Sequence, residues 1–127
     1  MIHVQLVREF KWSDVILVIV DRNGIGVLVS ALRRASQEPS GEEVRIEHDG
    51  QYHIIAISDG PIRVEPDDAC TIWCLSPDKV EEIIDKLLSL DRALAPCHHY
   101  VDIDAPAPTL FISIGEYSVQ NGQVIRS

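Results

Sequence analysis

Along this chain, stretches in which every second residue is apolar are interrupted by two stretches whose apolar residues recur every three to four positions. Ile2, Val4 and Leu6 alternate with polar neighbours, which predicts a half-buried strand over Ile2 to Phe10. After Lys11-Trp12-Ser13-Asp14, the unbroken and mostly β-branched run Val15 to Val20 predicts a strand buried on both faces. Ile25, Leu28, Val29, Leu32 and Ala35 then fall on one helical face. Asp21 or Asn23 can cap that helix, and Arg33 and Arg34 sit where its dipole favours positive charge. Glu38-Pro39-Ser40-Gly41 closes it.

Glu43 to Ser58 predicts a hairpin about Asp49-Gly50, a pair suited to a type I′ turn because both residues tolerate positive φ. A two-residue turn there pairs His48 with Gln51, Ile46 with His53 and Val44 with Ile55. One face is then Val44, Ile46, His53, Ile55 and Ile57; the other is Arg45, Glu47, Tyr52, Ile54 and Ala56. Strands over Ile62 to Glu65 and Ala69 to Leu75 flank Pro66-Asp67-Asp68. Ser76 followed by Pro77 marks the start of a second helix. Its stripe is Val80, Ile83, Ile84, Leu87, Leu88 and Leu90, and Glu81, Glu82, Asp85, Lys86 and Ser89 face away. Asp91 projects onto the stripe, so the helix is expected to fray near Leu90. His98 to Ile103 and Leu110 to Ile114 complete the strands, and the polar segment from Gly115 is expected to be a loose tail. The order ββαββββαββ, with tight hairpins and one apolar stripe per helix, predicts a single α+β domain spanning 1–127. Its sheet should be largely antiparallel, with both helices on one face. The sequence shows no internal repeat and no linker.

Charge narrows the partners. Between Glu42 and Asp104 there are 15 acidic residues against 5 basic ones, while the whole chain carries a formal charge of −9. Such a field repels phosphates, so nucleic acid and anionic membrane are expected to be poor partners, and a basic protein is the expected one. The N-terminus shows no secretory signal and the longest apolar run is too short to span a bilayer, so a cytoplasmic location is expected. Cys70, Cys74 and Cys97 are an odd set without a framework spacing, which suits a reducing compartment.

Candidate chemistry is sparse. His98, Tyr100 and Asp102 share one face of a strand and could form a small enzyme or ligand site, with a base and its carboxylate orienter. No nucleophile lies at a recognised spacing, and a solvated strand face explains the pattern as well. Three cysteines with a histidine could hold zinc, but the gap between Cys70 and Cys74 sits on an apolar strand, not on a knuckle. Asn23-Gly24-Ile25-Gly26 lacks the third glycine of a dinucleotide fingerprint. No catalytic residue, metal or cofactor is therefore expected. His53 reads as a core histidine, and Trp12 and Trp73 as core or surface anchors.

The strand His98-His99-Tyr100-Val101-Asp102-Ile103, its proline-containing turn and the closing apolar strand resemble small acidic immunity proteins of bacterial polymorphic-toxin systems. That resemblance implies a non-enzymatic domain that binds and neutralises a partner protein. The acids Glu81, Glu82 and Asp85, exposed together on the second helix, are the expected contact surface for a basic partner. A structural or regulatory homodimer joined through a sheet edge is the third possibility.

Overall fold

The computed structural model describes residues 1–37 and 41–127, so the predicted close of the first helix falls partly outside the described residues. The elements run β1 (Ile2–Phe10), β2 (Ser13–Val20), α1 (Arg22–Gln37), β3 (Val44–His48), β4 (Gln51–Ile57), β5 (Arg63–Pro66), β6 (Cys70–Leu75), α2 (Pro77–Asp91), β7 (Cys97–Asp102), β8 (Thr109–Ile114), β9 (Tyr117–Gln120) and β10 (Gln123–Arg126). The first ten follow the predicted order in one α+β domain. The β3–β4 register is the predicted one, from Val44 opposite Ile55 to His48 opposite Gln51. Asp49 and Gly50 both take positive φ, as a type I′ turn requires.

The strands form two four-stranded sheets, where the pattern predicted one. The first runs β1-β2-β8-β7 and the second β5-β6-β4-β3. Hairpin partners are antiparallel in both, and the central pairs β2–β8 and β4–β6 are parallel. Replacing each strand of the first sheet by the one four places along the chain, counted cyclically over β1 to β8, gives the second. The fold is therefore a ββαββ unit used twice, with the halves exchanging strands, although no sequence repeat announces it.

Both helices begin where their caps place them. The Asp21 carboxylate accepts from the Gly24 amide, and the Ser76 hydroxyl accepts from the Lys79 amide. Gly24 is required for another reason: a Cβ there would lie 1.9 Å from the carbonyl oxygen of Met1. This tight strand-to-helix turn explains the glycine without any phosphate. Ile25, Leu28, Val29, Leu32 and Ala35 on α1 join Val80, Ile83, Leu87 and Leu90 on α2 in one core with the inward faces of both sheets. The α2 helix ends at Asp91, beside the expected position, and the Arg22 side chain donates to the carbonyls of Asp91 and Ala93.

A second apolar cluster lies on the opposite face of the first sheet. Val15, Leu17, Ile19 and Phe111 are buried there under Tyr117, Val119 and Val124. The C-terminal segment is thus a hairpin packed on the sheet rather than a loose tail. Asn121 and Gly122 form its turn, both at positive φ. The two tryptophans part company: Trp73 is fully buried, whereas Trp12 is 100% exposed in the β1–β2 turn. Among the described residues no helix is long and apolar enough to cross a membrane.

Candidate functional site

His98, Tyr100 and Asp102 do share the outer face of β7, but the carboxylate that meets His98 is not Asp102. His98 stacks on Phe111, with ring centroids 4.5 Å apart, and its Nδ1 lies 2.9 Å from the carboxylate of Glu116. The buried Ser113 hydroxyl donates to the same carboxylate at 2.6 Å. Burial raises the Glu116 pKa, but the hydrogen bonds from Ser113 and His98, with the nearby positive charge, outweigh it and hold the group below its ordinary value. The chain Ser113–Glu116–His98 therefore anchors the start of the C-terminal hairpin to the first sheet. Asp102 is exposed at the far end of the strand, with Tyr100 between it and His98. None of the five main surface clefts is lined by His98, Tyr100 or Asp102. On the inner side of β7, His99 is bonded to the Ser89 hydroxyl of α2 at 3.0 Å. Its pKa is lowered by burial first and then by Lys86 and His98.

The acids of α2 reach solvent in mixed company. Glu82 pairs with Lys79 at 2.8 Å, while Glu81 and Asp85 line a groove between the helices that Arg33 and Ser36 also line. Positive charge from α1 thus stands across from them. The cysteines are dispersed: Cys70 and Cys74 lie on the outer face of the second sheet, and Cys97 lies on β7 of the first, packed against the main core. No cluster of three or more His, Cys, Asp or Glu side chains is placed to hold a metal ion among the described residues.

The largest of the main clefts lies elsewhere, with a volume of about 690 Å³. One wall is β1 from Ile2 to Leu6, inward- and outward-facing residues alike, as happens when a groove runs along the free edge of a strand. The other wall is Gln51 and His53 of β4, the β5–β6 turn at Pro66, Asp67 and Asp68, and Thr71 of β6; Val119 and Gly122 of the C-terminal hairpin close one side. Asp67 and Asp68 are exposed, and no lysine or arginine lines the cleft.

At its base His53 is 1% exposed. Its Nδ1 receives the Trp73 indole N–H at 3.2 Å. Indole can only donate, so Nδ1 is the acceptor and the ring proton sits on Nε2. That Nε2 is buried and has no hydrogen-bond partner among the described residues. Burial, and then the neighbouring His48, push the pKa down to about 4, so the ring is neutral at pH 7. The cleft thus combines a strand edge with two carboxylates at its lip, and an unused N–H donor lies sealed beneath its base. The hairpin register places His53 on the apolar face. What it cannot show is Trp73, brought beside His53 by the parallel β4–β6 pairing, or the β5–β6 turn that forms the far wall. The one local signal is the Asp67-Asp68 pair, which the sequence marks only as the break between two strands. No family model, curated protein or solved structure matches this chain.

Proposed function

We propose that this chain is a non-enzymatic protein-binding domain of the immunity-protein kind, which receives an extended, basic segment of its partner in the cleft along β1. The observation that carries this reading is the open edge of β1 facing Asp67 and Asp68 in a cleft with no lysine or arginine. An edge strand offers alternate backbone N–H and C=O groups, and an extended segment can pair with them, gaining affinity from main-chain bonds and specificity from side-chain contacts. Lysine or arginine side chains on that segment would meet the two aspartates. The same acid-rich span that suggested a basic partner supplies this cleft, but the contact moves from α2 to the β5–β6 turn, where no arginine stands opposite.

The test compares two charge reversals in capture from the native cell at low and high salt. Asp67→Lys with Asp68→Lys should slow association with the captured partner by about tenfold or more at low salt, because the local field both steers and selects. Glu81→Lys, Glu82→Lys and Asp85→Lys together should change it less. A partner held equally well by the Asp67 and Asp68 variant would overturn this reading. Neutralisation of that partner's toxicity on co-expression would support the immunity role.

A further inference from the structure

The two sheets are related in topology but not in their cover. The outer face of the first is buried beneath β9 and β10, while among the described residues no helix or strand packs over the equivalent face of the second. Its centre is apolar and open: Ile72 is 39% exposed and Tyr52 51%, with Ile54, Ala56, Cys70 and Cys74 half-buried around them. Exposed apolar surface at the centre of a sheet, rimmed by charge, is the composition of a contact surface.

We propose that this face is covered by the same face of a second copy of the chain, the two related by a two-fold axis parallel to the strands. The strand registers supply the argument. One row across the sheet reads Arg45, Ile54, Ile72, Glu65, with arginine at the β3 edge and glutamate at the β5 edge. The neighbouring row reads Ala56, Cys74, Arg63, and by continuing the β3 register Glu43 lies at its other end. The polarity of the second row is opposite to that of the first. A two-fold axis along the strands keeps each row and exchanges its ends. Arg45 then faces Glu65 of the second copy, Glu43 faces Arg63, and Ile72 lies over Ile54. An axis across the strands would instead set Arg45 on Arg45 and Glu43 against Glu47. The third row, Glu47, Tyr52, Cys70, ends at Asp67 in the β5–β6 turn and brings two symmetry-related like-signed pairs, at the rim, where water screens them.

Within one chain, Arg45 pairs with Glu43 at 3.3 Å and Arg63 pairs with Glu65. In the dimer each such pair meets its reverse. Four strands about 4.8 Å apart and three rows about 7 Å apart give a flat patch of roughly 400 Å². That is small beside the roughly 800 Å² per partner of a stable complex, so the dimer should be weak and depend on concentration. The β1 cleft shares Asp67 with this face, but Arg45, Glu65 and Ile72 do not line it, so variants at those three test the dimer separately from the cleft.

Sedimentation velocity from about 10 μM to about 0.5 mM spans the affinities expected of so small an interface. The wild-type chain should pass from monomer to dimer in that range, and Ile72→Asp should remain monomeric with an unchanged melting temperature. Arg45→Glu should weaken the dimer about tenfold, and Arg45→Glu with Glu65→Arg should restore it to within about threefold. Those residues lie on opposite edges of the sheet, about 14 Å apart, too far to pair within one chain, so rescue can only arise between copies. A wild-type chain that is monomeric at about 0.5 mM, or a double variant as weak as the single one, overturns the proposal and leaves the face to a different protein.

Discussion

In the unfolded chain His53 takes up a proton near its ordinary pKa of 6.5, whereas the folded domain holds that pKa down to about 4. Between these values the unfolded state binds more protons than the native state, so stability falls as pH falls. The contribution is complete above pH 6.5, is lost progressively down to about pH 4, and amounts to about 3 kcal/mol. Urea denaturation between pH 7 and pH 4.5 should show this loss, and His53→Gln should remove most of the slope. His99, also lowered, leaves a smaller remainder in the same direction. A His53 imidazole titrating near its ordinary pKa of 6.5 by NMR would refute the argument. Much of His53 was legible from the residues alone, since the Asp49-Gly50 turn sets the parity of every side chain on β4. Its tautomer was not, because that depends on Trp73.

Helices and hairpins were legible where local chemistry dictates them. Ser76-Pro77, Asp21 and the Asp49-Gly50 pair each act within a few residues, and each element starts or turns where they stand. The C-terminal hairpin carried the same kind of signal, Asn121-Gly122 between alternating Tyr117, Val119 and Val124, and it was masked by the polarity of the residues between. On α2, Leu87 is fully buried among both sheets and α1. Leu87→Ala should therefore cost about 2–5 kcal/mol on chemical denaturation, and a loss below about half a kcal/mol would remove Leu87 from the core. Arg22 closes the C-terminus of the same helix by bonding the carbonyl of its last residue, Asp91, and that of Ala93 just beyond the cap. Arg22→Ala should lower stability by up to about 1 kcal/mol, the ordinary net value of such bonds, and Arg22→Lys should recover only part of it.

Over the whole molecule, fold class and element order could be read from periodicity, but the division into two sheets could not. Nothing in Val15–Val20 says that its second neighbour is Thr109–Ile114 and not the next strand along the chain. The cleft shares that difficulty, since its walls come from β1, β4 and the β5–β6 turn. The exchange of strands has a direct test. Fragments 1–58 and 59–127 each hold only half of either sheet, so each alone should give a disordered NMR spectrum, while the two mixed or co-expressed should reconstitute the native one. A folded spectrum from either fragment alone would show that the halves are independent.

The same exchange bears on how the chain is made. Strand β2, buried along six consecutive residues, leaves the ribosome long before its parallel neighbour β8. Until β8 emerges, that apolar ribbon has one hydrogen-bonding edge satisfied by β1 and the other open, the state most prone to pair with another nascent chain. At roughly 5–20 residues per second, the gap between the two strands lasts several seconds. Long-range pairing of this kind is also slow after release. The yield of active protein in the cell should thus depend on chaperones that shelter exposed strands, more than the stability of the finished domain would suggest.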